Sequence, residues 1–439
     1  MKILKLIFGR FGIFMICILA QTIWSLNLIL NFSNYFIAVN FIFTILSVLV
    51  VLEIIKSEKY ISNKMHWIII IALFPLFGGL LYILVGTNLS TSPTLRKFLN
   101  TNKKTSKYLN QNEEVLDKIS LENTDIYGQT KYISKYSGYP IYENNIAEYY
   151  PIGEAVYEKI LEELKKAKKF IFLEYFIIEQ GEMWQGILEI LEKKVKEGVD
   201  VRVIYDDMGC IDEFPRQFYK ELQGKGIHVA CFNPFRPFLS VIMNNRDHRK
   251  VLVIDGKVAY TGGVNIADEY VNKIERFGHW KDNGIMIKGE AVWNFTVMFL
   301  QVWNVYRNED KDFTKFKSIT QNNETEKDGY IVPYAEYPLD GENVGENIYL
   351  NIINKAKKEV YIFPPYLIID DAMISALTLA SKRGVDVRIV TPGIPDKKSV
   401  FLVTRSYYNT LIKEGVKIYE YTPGFMHSKV FVSDDIVAT

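Results

Sequence analysis

Three apolar stretches open the chain. Phe11 to Leu30 runs without a charge, Tyr35 to Ile55 carries only Glu53, and Trp67 to Val85 is again uncharged. A helix of roughly 20 apolar residues matches the hydrocarbon core of a bilayer. Transmembrane helices are therefore expected at 11–30, 35–55 and 67–85, in a membrane region covering residues 1–87. The short link Asn31 to Asn34 makes the first two a tight hairpin. Phe74-Pro75-Leu76-Phe77-Gly78-Gly79 falls inside the third, where packed neighbours can satisfy the freed backbone groups. Lys2, Lys5 and Arg10 resemble the start of a signal peptide. The apolar run behind them is too long, and no small-x-small cleavage site follows, so a retained helix is expected. Lys56, Lys59 and Lys64 argue for one orientation and Arg96, Lys97, Lys103 and Lys104 for the other.

Beyond residue 87 the pattern changes. Residues 88–131 are polar and read as a linker with some helix. Helices then alternate with short apolar strands, twice over. Lys166-Ala167-Lys168-Lys169 precedes the run Phe170 to Phe176, and Lys355-Ala356-Lys357-Lys358 precedes Val360 to Tyr366. Gly198-Val199-Asp200-Val201-Arg202 recurs as Gly384-Val385-Asp386-Val387-Arg388. The interval from Lys166 to Lys355, and from Gly198 to Gly384, is that of one whole domain rather than a short solenoid repeat. Alternating helices and buried strands predict α/β lobes with helices on both sheet faces. The expected layout is a first lobe at 132–310, a joint at 311–340 and a second lobe at 341–439, packed about a pseudo-two-fold axis.

Composition narrows the chemistry. With 52 basic and 51 acidic residues the net charge is +1, so no general attraction to nucleic acid is expected. Cys17, Cys210 and Cys231 suggest no disulfide framework, and no Cys/His cluster calls for a metal or other cofactor. The chain has 5 histidines, and two of them stand in one repeated pattern, H-x-K-x-x-x-x-D. His248, Lys250 and Asp255 form the first copy, and His427, Lys429 and Asp434 the second, at matching places in the two lobes. On a strand, residues two apart share a face, so each histidine points with its lysine. Each aspartate closes its strand at a turn, where it caps the turn or tunes a histidine.

Two such pairs brought together suit phosphodiester exchange. One neutral imidazole can attack phosphorus, and a protonated one can supply the leaving alcohol with its proton. Two ammonium groups can offset the phosphoryl charge. The residues do not say which histidine takes which role, and a bell-shaped pH–rate profile is expected. Asn265, behind Gly262-Gly263, is a further hydrogen-bond donor. His66, His228 and His279 read as structural. Val292 to Trp303 reads as a core helix. Pro234-Phe235-Arg236-Pro237-Phe238-Leu239 suits either an interfacial contact or a packed loop.

These motifs resemble the phospholipase D superfamily, whose hallmark is a duplicated HKD motif. Asn244 to Gly256, the run Gly262 to Tyr270, Trp280-Lys281-Asp282 and Gly424 to Lys429 are similar to the bacterial cardiolipin synthases. The resemblance implies phospholipase D-like α/β/α lobes in a bacterial, multi-pass protein of the cell membrane. The partners would be phosphatidylglycerol and membrane lipid, with no nucleic acid and no cofactor. Two phosphatidylglycerols would give cardiolipin and glycerol. His248, Lys250, Asp255, His427, Lys429 and Asp434 would form the catalytic set, with His248 as nucleophile. Asn265, Gly262 and Gly263 would help bind the phosphate. A phospholipase D-type hydrolase of phosphodiesters and a non-enzymatic scaffold are the competing readings. Gly262, Gly263 and Asn265 follow Asp255 at offsets that, counted from Asp434, run past Thr439. The second lobe is therefore expected to be C-terminally incomplete and the chain as given a fragment, its own activity in question.

Overall fold

The computed structural model describes residues 34–57, 61–82, 93–143, 145–210, 216–234, 246–318, 329–336 and 341–439, with residues 19, 22, 23 and 26 singly. The apolar stretch 11–30, Cys17 and the loop 235–239 lie essentially outside them. The chain divides into two units, Met1–Arg96 with Phe235–Asn245, and Lys97–Pro234 with Arg246–Thr439.

The first unit holds helices α1 (Asn34–Lys56), α2 (Ile61–Leu73) and α3 (Pro75–Leu81). The stretch expected as a single helix at 67–85 is broken at Phe74. Pro75 cannot donate a helical hydrogen bond and drives the residue before it out of helical geometry. Ile54, Ile71 and Tyr82 form the buried core of this unit, with Trp67 edge-on to Tyr82 at 5.2 Å. Phe41, Leu49, Leu52 and Leu73 are exposed. No helix among the described residues is long and apolar enough to cross a membrane.

The stretch that polar composition marks as a linker contains helices α4 (Pro93–Thr105), α5 (Glu113–Glu122) and α6 (Thr124–Ser137). Asn112 and Asn123 cap α5 and α6. Val115, Leu116, Ile119 and Ile133 are buried beneath them.

The first lobe contains β1 (Asn145–Tyr150), α7 (Gly153–Lys166), β2 (Phe170–Tyr175), α8 (Glu182–Lys196), β3 (Asp200–Asp206), α9 (Arg216–Gly224), β4 (His228–Phe232), β5 (Lys250–Ile254), β6 (Val258–Gly262), β7 (Gly284–Gly289) and α10 (Val292–Tyr306). Its seven strands run in the order β1-β7-β6-β5-β2-β3-β4. The second lobe contains α11 (Val344–Lys355), β8 (Glu359–Phe363), α12 (Asp371–Lys382), β9 (Asp386–Pro392), α13 (Lys398–Ser406), α14 (Tyr408–Lys413), β10 (Lys417–Tyr421), β11 (Val430–Ser433) and β12 (Val437–Ala438). Its sheet runs β10-β9-β8-β11-β12. The strings β5-β2-β3-β4 and β11-β8-β9-β10 are the same arrangement. In each, three parallel strands meet one antiparallel strand that follows a His-x-Lys.

The repeated Gly-Val-Asp-Val-Arg has a local cause. Gly198 (φ +86°) and Gly384 (φ +91°) sit just past α8 and α12 in the left-handed region, and Val199 and Val385 donate back to Lys194 and Ala380 at 3.0 and 3.1 Å. This is a Schellman-type helix stop. Further on, Asp and Arg share a strand face and pair, Arg202 with Asp200 at 2.8 Å and Arg388 with Asp386 at 2.6 Å.

The first sheet is covered on both faces. Ile171, Leu173, Leu252 and Ile254 pack under α7 and α8, while Phe172, Val251 and Val253 pack under α10. The α10 helix is buried nearly all round, which fits its continuous apolar sequence.

Candidate active site

Lys250 starts β5 opposite Tyr175, the last residue of β2, and Val430 starts β11 opposite Phe363, the last residue of β8. Both His-x-Lys pairs therefore lie where parallel strands β2 and β8 end, the edge at which α/β sheets bind ligands.

A main-chain zipper joins the two lobes here. His279 N–H donates to Pro423 O at 3.0 Å, Lys281 N–H to Phe425 O at 2.9 Å and His427 N–H to Lys281 O at 2.8 Å. Glycine permits the approach, since a Cβ on Gly424 would lie 2.2 Å from His279 O. The zipper sets Asp282 of the first lobe against His427 of the second. His427 Nδ1 is 2.7 Å from Asp282 Oδ2, and Asn283 N–H donates to Asp282 Oδ1 at 2.8 Å. The His427 ring is enclosed by Tyr270, Trp280 and Phe425, with centroids 5.5, 5.6 and 5.8 Å away. Lys429 Nζ is 2.9 Å from His427 Nε2.

His248 is held differently. Its ring lies against Phe176, centroids 4.7 Å apart, and makes no hydrogen bond among the described residues. Lys250 Nζ donates to His248 O at 2.7 Å and sits 5.4 Å from the Phe176 ring centre. The main chain carries the anchors. Asp247 N–H donates to Asp206 Oδ2 at 2.9 Å, Arg246 reaches Asp206 at 3.1 Å, and Arg249 reaches Glu174 at 3.3 Å.

Electrostatics tie the four groups into one site. Partial loss of solvent around its ring pushes His248 down to about 3, helped by the charges of Lys250, Lys429 and His427, although the residue keeps an exposed face. The second motif is thus close enough to act on the first. Burial, then repulsion from Lys429, pushes Lys250 down to about 7, and partial loss of solvent around its ammonium pushes Lys429, which keeps an exposed face, down to about 8. His427 is lowered by burial, against the pull of Asp282. An imidazole that stays neutral can serve as a nucleophile at neutral pH. Clustered ammonium groups short of counter-charge form an anion site.

Asp255 and Asp434, grouped by the motif with the histidines and lysines, stand elsewhere. Asp255 follows β5 at the end remote from His248, about 16 Å from Lys250 at ~3.3 Å per residue. Its carboxylate accepts from the main-chain N–H groups of Lys168, Lys169 and Phe170 at 2.8, 2.7 and 2.9 Å. Asp434 accepts likewise from Lys357, Lys358 and Glu359 at 2.8, 2.8 and 2.9 Å. Both anchor the turn that enters β2 or β8, which explains why the Lys-Ala-Lys-Lys repeat travels with the motif.

Asn265 is buried, its Oδ1 accepting from Ile177 N–H at 3.1 Å and its Nδ2 donating to Tyr270 Oη at 2.7 Å. Gly263 makes room for the carboxylate that holds His427: a Cβ there would lie 1.9 Å from Asp282 Oδ1. Gly262 (φ +151°) faces the Asn283 main chain, 2.4 Å from where a Cβ would sit. His279 Nδ1 is 2.9 Å from Tyr421 Oη at the lobe junction, and His228 is exposed at the start of β4. Among the described residues no group of three His, Cys, Asp or Glu could hold a metal ion. Sequence reasoning gives no role to Asp282, Glu174, Asp247 or Tyr270. The triplet Trp280-Lys281-Asp282 is visible in the chain, but the partner of Asp282 lies 145 residues away.

The sequence matches the family model described as "Cardiolipin synthase, PLD-like domain" over residues 160–303 and 349–439, and "Phospholipase_D-nuclease N-terminal" over 45–86. A cardiolipin synthase of Alkalihalophilus pseudofirmus is 34% identical over 91% of this chain and 79% of its own length. A cardiolipin synthase of Clostridium perfringens is 34% identical over 85% of this chain and 79% of its own length. An "uncharacterized protein" of Streptococcus mutans is 44% identical over 88% of this chain and 84% of its own length.

Proposed function

The chain belongs to the PLD-like cardiolipin synthase family, and from that premise we propose that it moves a phosphatidyl group from one phosphatidylglycerol to another, giving cardiolipin and glycerol. What supports this reading is the electrostatic coupling of His248 and Lys250 in the first lobe to His427 and Lys429 in the second, with Lys250 and His427 buried.

In the first half-reaction neutral His248 attacks phosphorus. A P–N bond forms, the P–O bond to glycerol breaks, and His427 gives its proton to the departing oxygen. Asp282 holds His427 by Nδ1, so Nε2 faces the chemistry. Lys250 and Lys429 balance the phosphoryl oxygens, and the bound anion in turn favours the protonated form of His427. In the second half-reaction His427 takes the proton of the incoming glycerol hydroxyl, that oxygen attacks phosphorus, and His248 leaves. One phosphodiester replaces another, so no nucleotide is consumed.

Attachment to a membrane through the N-terminal unit belongs to the same reading, and the exposed Phe41, Leu49 and Leu52 support it.

Product analysis tests the proposal. The full chain in detergent receives phosphatidylglycerol and the lipids are resolved. Cardiolipin with equimolar glycerol is expected. Phosphatidic acid in its place would make water the acceptor and the protein a hydrolase.

A further inference from the structure

The face of β5 opposite the site carries an unexplained charged layer. Asp247 and Arg249 lie in the segment just before β5, and Arg249 reaches Glu174 on the far side of the strand from Lys250. Across from them, Glu174 opposes Val251 in the register, on the α10 side of the sheet. Glu174 is fully buried and Asp247 is 5% exposed.

The hydrogen bonds of these two carboxyls leave a conflict. Glu174 Oε1 accepts from Arg249 Nη1 at 3.3 Å, and Asp247 Oδ1 accepts from Arg249 N–H at 3.3 Å. Glu174 Oε2 and Asp247 Oδ2 remain, both buried and neither with a donor. The two carboxyls are within hydrogen-bond reach of each other. Two bare acceptors in contact inside a protein repel, and an unpaired buried acceptor costs about 1–3 kcal/mol. One proton between them removes both faults.

We propose that Glu174 and Asp247 share a single proton behind β5, and that this acid pair, clamped by Arg249, is the positioning device for His248. With one proton the pair holds one negative charge facing the Arg249 guanidinium. Burial and the Asp247 charge both push Glu174 well above the usual carboxylate range, against the pull of Arg249. The next charged groups on this face, Asp206 and Arg246, form their own pair at 3.1 Å. The device is peculiar to the first lobe. At the matching positions the second lobe has Phe363 for Glu174, Met426 for Asp247 and Ser428 for Arg249. Asp247 Oδ1 accepts from Arg249 N–H, so the pair braces the main chain on either side of His248.

The positioning role rests on the transfer reaction proposed above, whereas the shared proton does not. Three variants of the full chain and one spectrum test both. Glu174→Gln keeps a donor toward Asp247 and an acceptor for Arg249, and Glu174→Leu keeps only the bulk. Transfer by Glu174→Leu should fall about 100-fold in kcat with KM nearly unchanged, the cost of misplacing a nucleophile by about 1 Å, and Glu174→Gln should restore it to within about threefold. Glu174→Gln/Asp247→Asn removes both carboxylates that Arg249 clamps and should be as impaired as Glu174→Leu. Independently of any substrate, the infrared difference spectrum of wild type against Glu174→Gln should contain the carbonyl stretch of a protonated carboxyl. Absence of that band, or a Glu174→Gln as impaired as the leucine variant, would overturn the shared proton. A fully active Glu174→Leu would overturn the positioning role. A wild type inactive on phosphatidylglycerol but showing the band would sink the transfer reading alone.

Discussion

The two lobes repeat one strand arrangement and one His-x-Lys, yet the contacts among the described residues around the two histidines differ. In the second lobe the ring of His427 is gripped by Asp282 and caged by aromatics, and the strand behind it is backed by Met426 and Phe363. In the first the ring of His248 makes no hydrogen bond among the described residues, and the strand behind it is anchored by Glu174, Asp206 and Asp247. The difference fits a division of labour. A general acid and base needs one tautomer and a fixed axis, which a carboxylate on Nδ1 supplies. A nucleophile must form and break a bond to phosphorus, which a firmly anchored main chain favours.

The strongest way to break this comparison is to remove each histidine and vary the leaving group. His248→Ala should lose at least about 10⁴-fold in turnover with any phosphodiester. His427→Ala should lose about 10³-fold with phosphatidylglycerol but far less with a nitrophenyl ester, whose leaving group needs no proton. Equal losses on both substrates would erase the distinction.

Asp282→Asn comes next. Steady-state kinetics should register a fall of about 10²–10³-fold in kcat at similar KM, since Asn preserves shape but not the preference for Nδ1–H.

The lysines give the third test. A lysine is charged below its pKa and neutral above it. With Lys250 near 7 and Lys429 near 8, the free protein loses its anion site as pH rises through that window. A pH profile of kcat/KM should therefore decline above about pH 7 to 8, while kcat declines at higher pH because bound phosphate holds both ammonium groups charged. His248, near 3, is neutral throughout and should contribute no acid limb above about pH 4. A profile flat through the alkaline range would remove the lysines from substrate binding.

The smallest effects concern the two aspartates. The N–H groups that Asp255 satisfies are buried or partly so, whereas two of the three at Asp434 are exposed and can turn to water. Thermal melts should place Asp255→Ala about 2–3 kcal/mol below wild type and Asp434→Ala within about 1 kcal/mol. The activity of folded Asp434→Ala should be nearly normal. A catalytic role would instead abolish turnover without moving the melting temperature.

Much of this is legible in the chain. The duplicated lobes follow from the repeated landmarks, because Schellman glycines and same-strand Asp–Arg pairs are local in cause. The pairing of each histidine with its lysine follows from a period of two. What stays hidden depends on contacts far apart in sequence. Asp282 looks like any turn acid until the zipper of 278–281 with 423–427 sets it on His427. Glu174 sits in an apolar run that reads as an ordinary buried strand. The motif groups Asp255 and Asp434 with the histidines because it records proximity in sequence, and a strand then carries its two ends apart. The polar stretch holding α5 and α6 conceals its few buried apolar positions, Val115, Leu116, Ile119 and Ile133, among many charges.

The central claim is that His248 carries the phosphatidyl group while His427 moves the proton. Rapid acid-free quenching of the full chain with lipid labelled in the phosphatidyl moiety, followed by peptide mapping, reads this directly. The label should appear on the peptide containing His248 and be absent from His248→Asn. Label on the His427 peptide, or steady turnover with no protein-bound label at any time, would contradict the account.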